Sequence, residues 1–153
     1  MQWVRAWRGQ TIGLDTAPLI DFVEQNTEYV EFVRPFFEAF DRGDLHVVTS
    51  TVTLAEVLAQ PLRFGNNELA RRYRTILLWA PGLDMVELSP VIAERTALLR
   101  SQYNLQTLDA IQLATALEQG ASAFLTNDTR LPKLPNLNIV TLVSLKKESE
   151  LFD

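Results

Sequence analysis

The chain has 153 residues, enough for one domain with one substantial core, and an even spread of apolar and charged residues typical of a globular protein. It has no cysteine and a single histidine, His46, which excludes disulfides, thiolate metal sites, cysteine nucleophiles and histidine-rich zinc sites. Fourteen basic residues against nineteen acidic ones give a net charge of −5. That balance argues mildly against a general polyanion binder, and it is equally the balance of a chain that gathers carboxylates around a divalent cation. No apolar run reaches the roughly 18 residues of a membrane span, and no secretory signal precedes the first strand, so a cytoplasmic protein is expected.

Residues 1–10, with Trp3 and Trp7, read as an N-terminal extension of unassigned role. Thr11 to Asp15 is a short apolar strand ending on an acid. A helix follows from Ala17 to Gln25, with Pro18 tolerated in its first turn. Asn26 or Thr27 caps a second helix to about Phe40, whose aromatic face reads as core, with any surplus free to form a dimer or partner groove. Leu45 to Ser50 is the second strand, in which His46 reads as structural. Thr53 to Gln60 is a helix that Pro61 is expected to stop, and Thr53-x-x-Glu56 has the spacing of a capping box. A helix from Asn66 or Asn67 to Trp79 ends at Pro81-Gly82. Arg63, Arg71, Arg72 and Arg74 form the densest basic patch of the chain, either a solvated face or an RNA contact.

The third strand is Leu83 to Leu88. Ser89-Pro90 opens a helix to about Tyr103, as an N-cap followed by proline at the first helical position. The next helix has an unusually apolar surface and is expected to be the most buried of the chain, with Thr107 as its N-cap and Gly120 as its stop. It is apolar round most of its circumference, so it belongs inside the domain. Its polar stripe runs through Asp109, Gln112, Thr115 and Gln119. Ala123 to Thr126 and Leu137 to Leu142 are the fourth and fifth strands. Lys146 to Asp153 reads as a charged tail that frays. Strands alternating with helices predict a single-domain, three-layer α/β/α sandwich on a mainly parallel five-stranded sheet.

Such sheets bind ligands beyond the carboxyl ends of their strands. Asp15, Glu56 and Asp128 fall at that edge, and Asp109 joins them if its helix starts there. Each acid has an ordinary structural reading: a cap, a capping box, a helix-dipole partner, an Asx turn. Together they would repel, and a hard divalent cation is the natural compensator; oxygen-only ligation selects Mg²⁺ or Mn²⁺.

These residues also carry a family resemblance. Asp15-Thr16-Ala17-Pro18-Leu19-Ile20, Ser50-x-x-Thr53-Leu54-Ala55-Glu56-Val57-Leu58, Leu108-Asp109-Ala110-Ile111-Gln112-Leu113-Ala114-Thr115-Ala116-Leu117 and Leu125-Thr126-Asn127-Asp128 resemble, in order, the motifs of PIN-domain nucleases of the VapC toxin type. The likeness spans residues 11–142, with the domain set at 11–145. It implies a divalent-metal acidic centre that hydrolyses RNA phosphodiesters, a toxin–antitoxin pairing and a homodimer. By position, the family's acidic quartet falls on Asp15, Glu56, Asp109 and Asp128, as metal ligands and catalytic residues. Asp15, Asp109 and Asp128 are the direct ligands of this reading, and Glu56 is a ligand or a base acting through water. Thr16, Thr126 and Asn127 are assigned to orienting water or phosphate. Arg130 is the first candidate for a phosphate contact, ahead of Arg100.

Rival readings leave marks that are absent here. No G-x-G-x-x-G and no G-x-x-x-x-G-K-[ST] follows the first strand. A phosphoryl-aspartate phosphatase would need an acid at position 17, which is alanine, or a lysine on a late strand, whereas the lysines are Lys133, Lys146 and Lys147. A catalytically silent PIN-like binding module, its acids merely capping helices, is the remaining alternative.

Overall fold

The structure, a computed structural model, describes residues 2–152, without the side chain of Phe152. Five parallel strands run β1 Thr11–Leu14, β2 His46–Ser50, β3 Leu83–Val86, β4 Ala123–Thr126 and β5 Asn138–Thr141, in the order β3-β2-β1-β4-β5. Eight helices complete the described chain: α1 Gln2–Ala6, α2 Thr16–Val23, α3 Val30–Asp41, α4 Thr51–Arg63, α5 Asn67–Trp79, α6 Pro90–Gln102, α7 Thr107–Glu118 and α8 Leu142–Phe152.

Alternation along the strands divides the core into two faces, as a pleated backbone requires. Ile12, Leu14, Val47 and Leu125 point to one side, where α1 to α5 and α8 supply Val4, Leu19, Phe36, Val57, Tyr73 and Leu145 and Trp7 follows α1. Val48 and Phe124 point to the other, where α6 and α7 supply Ile92, Leu99, Leu113 and Ala116. This is the three-layer α/β/α sandwich expected from the order of elements.

β1 is the central strand, and α7 lies directly on it. A Cβ built on Gly13 would stand 2.7 Å from Ala116 Cβ and 2.8 Å from a ring carbon of Phe124. Only glycine lets the helix come this close. The seven residues from Ala110 to Ala116 are all buried, so the helix is enclosed through its middle, as its apolar circumference implies. Its polar stripe is enclosed as well: Gln112 is 3% exposed and Thr115 2%. Leu108, in contrast, is half exposed.

Several boundaries differ from the sequence reading, each for a physical reason. Asp15 is itself the N-cap of α2, so that helix begins at Thr16. Asn26 Oδ1 accepts from the amides of Glu28 and Tyr29, which spends the asparagine on a turn and delays α3 to Val30. Ser50 caps α4 through the amide of Val52, so the Thr53–Glu56 capping box does not form. Pro61 is buried inside α4, which continues to Arg63 and is capped by Phe64, with Gly65 beyond it at a φ of +66°. Gln106, not Thr107, occupies the N-cap of α7, and its side chain makes no capping bond. The N-terminal extension folds as α1 and sets Trp7 edge-on to Phe36 at 6.1 Å, which puts the aromatic face of α3 to use within the chain. Residues 146–152, expected to fray, continue α8, anchored by the buried Leu142 and Leu145.

Candidate active site

All four acids of the sequence reading lie around the carboxyl edge of the sheet. Asp15 leaves β1 and is half-buried. One carboxylate oxygen accepts from the amide of Thr16 at 2.8 Å and the other from Thr126 Oγ1 at 2.7 Å. Thr126, the last residue of β4, is fully buried, and its hydroxyl oxygen also accepts from the amide of Asp128 at 3.0 Å. One threonine therefore fixes two acids. Glu56, on α4, accepts from Thr16 Oγ1 at 3.2 Å. Asp109 lies in the first turn of α7, which starts at this edge and runs back across the sheet against β1.

Beneath the acids lies a buried hydroxyl and amide network that the sequence reading did not anticipate. Gln112 Nε2 donates to Thr53 Oγ1 at 2.7 Å and reaches Thr16 Oγ1 at 3.4 Å. Thr53 Oγ1 lies 3.2 Å from Thr16 Oγ1 and 2.9 Å from Thr49 Oγ1, and Thr49 donates to the Leu14 carbonyl at 2.9 Å. The network joins α2, α4 and α7 to the ends of β1 and β2. Its signal in the sequence was partial: Gln112 lies on the polar stripe of an otherwise apolar helix, whereas Thr53 has the spacing of a capping box.

The electrostatics are those of crowded like charges. Burial raises the pKa of Asp15, against the lowering effect of its bonds from Thr126 and Thr16, and the charge of Asp128 raises it further. Loss of water, then the charges of Asp15 and Asp109, push Glu56 up, opposed by the Thr16 hydroxyl. Asp109 is raised by burial and by Asp15 and Asp128. Asp128 alone is held below the usual value, first by its hydrogen bonds from Arg130. The Arg130 fork meets both Asp128 oxygens, at 3.0 and 3.2 Å.

The substrate residues of the sequence reading are placed differently from one another. Thr16 and Thr126 are buried and face the acids. Asn127 turns its amide to Asp21 Oδ2 at 2.5 Å, behind the edge, and leaves its Oδ1 buried without a partner. Arg130 is exposed and paired with Asp128. Among the described residues, no three Asp, Glu, His or Cys side chains stand closely enough to enclose a cation as they are oriented. The donor set nonetheless suits one: four carboxylates from four separate elements, three of them driven toward protonation by burial and by one another. A cation bound among them would reverse that drive. Oxygen donors alone favour Mg²⁺ or Mn²⁺.

Elsewhere, His46 Nε2 lies 2.9 Å from Asp84 Oδ2, a structural pairing between neighbouring strands. Arg63, Arg71, Arg72 and Arg74 are exposed on α4 and α5. A cleft of about 630 Å³ opens beside Asp109 and Asp128, with Arg100, Tyr103 and Arg130 in its walls.

The PIN domain family model matches residues 12–137, and the chain belongs to that family. Among solved structures, it is similar to a chain of a toxin–antitoxin complex from Klebsiella pneumoniae, with 26% identity, TM-score 0.64, and 86% of this chain and 97% of that one covered. It is also similar in fold to VapBC2 from Rickettsia felis bound to a promoter DNA fragment, with 15% identity, TM-score 0.67 and coverage of 86% and 98%. A third is VapC20 of Mycobacterium tuberculosis, a sarcin–ricin loop cleaving toxin, with 13% identity, TM-score 0.59 and coverage of 74% and 86%. Compared with curated protein sequences, the chain has no match.

Proposed function

We propose that the chain is a divalent-metal-dependent endoribonuclease, the toxin of a type II toxin–antitoxin pair, acting in the cytoplasm. The observation that carries this reading is the mutual crowding of Asp15, Glu56, Asp109 and Asp128 at one sheet edge, with the first three raised above the usual carboxylate range. Isolated capping residues would each be satisfied by their own helix, and Asp109 and Glu56 are not. The family match and the similarity to VapBC structures support the same reading.

Asp15, Asp109 and Asp128 are the residues we assign to holding Mg²⁺ or Mn²⁺, with Glu56 a further ligand or a base acting through water. The bound ion supplies a more acidic water and neutralises charge on the phosphoryl group. The residues of the chain do the rest. Thr126 and the amide of Thr16 hold Asp15 in one orientation. Thr16, backed by Thr53 and Gln112, fixes Glu56 so that it faces the reacting region. Arg130 keeps Asp128 ionised until a ligand competes for it. A homodimer and a cognate antitoxin are the partners of this reading.

The test is cleavage of total RNA by the purified chain with Mg²⁺, with Mn²⁺ and with chelator. Metal-dependent cutting that Asp109→Asn removes is the expected result. A chain that binds neither ion and cuts nothing is a binding module.

A further inference from the structure

The cleft beside the acids has a composition the acid chemistry does not account for. Its walls are the turn between α6 and α7 and the loop after β4. Its volume, about 630 Å³, is within the range of sites that enclose a small organic ligand. Arg100 stands in the last turn of α6, and its Nε donates to the Leu105 carbonyl at 3.2 Å, which fixes the guanidinium against the turn. Arg130 stands opposite, with the rest of its fork unpaired among the described residues. Tyr103 is half-buried, packed on its inner side against the second core cluster. Asn104 and Gln106 follow it, both exposed. Gln106 occupies a helix N-cap, where Ser, Thr, Asp or Asn would bond the helix amides, yet its side chain caps nothing. Neither amide is engaged with another described residue.

An aromatic ring supported from behind, two side-chain amides beside it and an arginine on each side make a surface for a nucleotide. A base stacks on the ring, the amides meet its edge, and the guanidinium groups meet the phosphates. We propose that this cleft holds one nucleotide of single-stranded RNA next to the phosphate at the acids, with its base on Tyr103 and its identity read by Asn104 and Gln106. The position relative to cleavage rests on the nuclease reading; the binding of a nucleotide does not. The cleft, rather than the acidic edge, then sets which sequence is cut.

The probes are fluorescein-labelled octamers of rA, rC, rG and rU, and DNA octamers of the same sequences, titrated with the full chain in EDTA and followed by anisotropy. Tyr103→Leu, which keeps the inner packing, and Arg100→Gln are expected to weaken RNA binding at least about five-fold, as loss of one stacked base does. Tyr103→Phe keeps the ring face and should bind as the unaltered chain does. The double variant Asn104→Ala/Gln106→Ala should bring the four RNA affinities together and scatter the cut positions on total RNA in Mn²⁺. Wild-type affinity in Tyr103→Leu and Arg100→Gln, with circular dichroism showing both folded, overturns the proposal. Equal binding of the DNA octamers with the same losses overturns the assignment to RNA. If the cleft variants lose binding but the unaltered chain cuts nothing, the nuclease reading fails and the nucleotide site stands. If Asp109→Asn stops cutting while the cleft variants keep affinity and cut positions, the nuclease reading stands and the cleft assignment fails.

Discussion

Thr126 Oγ1 donates to Asp15 Oδ2 at 2.7 Å and accepts from the amide of Asp128 at 3.0 Å, so a fully buried hydroxyl at the end of β4 couples the acid after β1 to the acid after β4. The two strands pair directly, with Leu14 opposite Leu125, and that register puts Thr126 beside Asp15. The site is thus a consequence of parallel pairing around the central strand.

Thr126→Val removes this donor at nearly constant volume. Burial already raises the Asp15 pKa, and the Thr126 bond is the largest effect opposing it, so the valine variant should raise it further. Loss of the bond leaves the carboxylate under-satisfied, at a cost of about 1–3 kcal/mol near neutral pH. Chemical denaturation checks the stability. NMR titration of the Asp15 carboxyl carbon checks the direction of the pKa change.

Asp109→Asn separates folding from function. The Asp109 pKa is raised by burial and by the charges of Asp15 and Asp128, so its ionised form opposes folding at neutral pH. Thermal melts in EDTA at pH 7 should show the asparagine variant at least as stable as the unaltered chain. Metal-dependent RNA cleavage should fall at least about 100-fold, since even residues that merely support a metal ligand cost 10–100-fold when replaced.

The pH dependence of stability follows from the same shifts. For Asp15, Glu56 and Asp109 the folded pKa lies above the unfolded one. Each therefore contributes stability that is full below its ordinary value, near 4, and is lost as pH rises through the raised value. Asp128 has the opposite sign: its contribution is present above the ordinary value and lost as pH falls through the lowered one. In EDTA, the melting temperature should fall as pH is raised from the ordinary carboxylate value, near 4, through the raised values of these three acids, and Asp109→Asn should flatten that slope. A melting temperature that climbs over this interval contradicts the account.

Gly13→Ala tests the approach of α7 to the sheet. The new Cβ would meet Ala116 Cβ at 2.7 Å and a ring carbon of Phe124 at 2.8 Å, so α7 must shift off the strand. Overpacking of this kind costs about 1–3 kcal/mol. Because the displaced helix carries Asp109, metal affinity should fall together with stability.

The strand-end acids were legible in the sequence because their placement is local. An aspartate one or two residues past an apolar run sits at a strand's carboxyl edge whatever the remainder of the fold does. The burial of α7 was legible for the same reason, from its apolar circumference. Thr53 was not legible: Ser or Thr three residues before Glu looks like a capping box, and only the partners Thr16 and Gln112, 37 and 59 residues away, show that its hydroxyl is spent elsewhere. Nor was α1, because five residues are too few to display a helical period, and Trp7, which follows it, packs on Phe36 of α3 as well as on Trp3. The run of Lys and Glu in α8 looked like a solvated tail because its anchors, Leu142 and Leu145, precede the charges. Asn127 was assigned by its adjacency to Asp128, whereas the bend that follows β4 turns its amide to Asp21, 106 residues away in the chain.

Isothermal titration calorimetry of Mn²⁺ into the metal-free chain, beside the same titration of Asp109→Asn, addresses the acidic edge most directly. Saturable binding to the unaltered chain, accompanied by a higher melting temperature and lost or much weakened in the variant, is the predicted result. No heat and no thermal shift in the unaltered chain would mean that Asp15, Glu56, Asp109 and Asp128 are structural acids only.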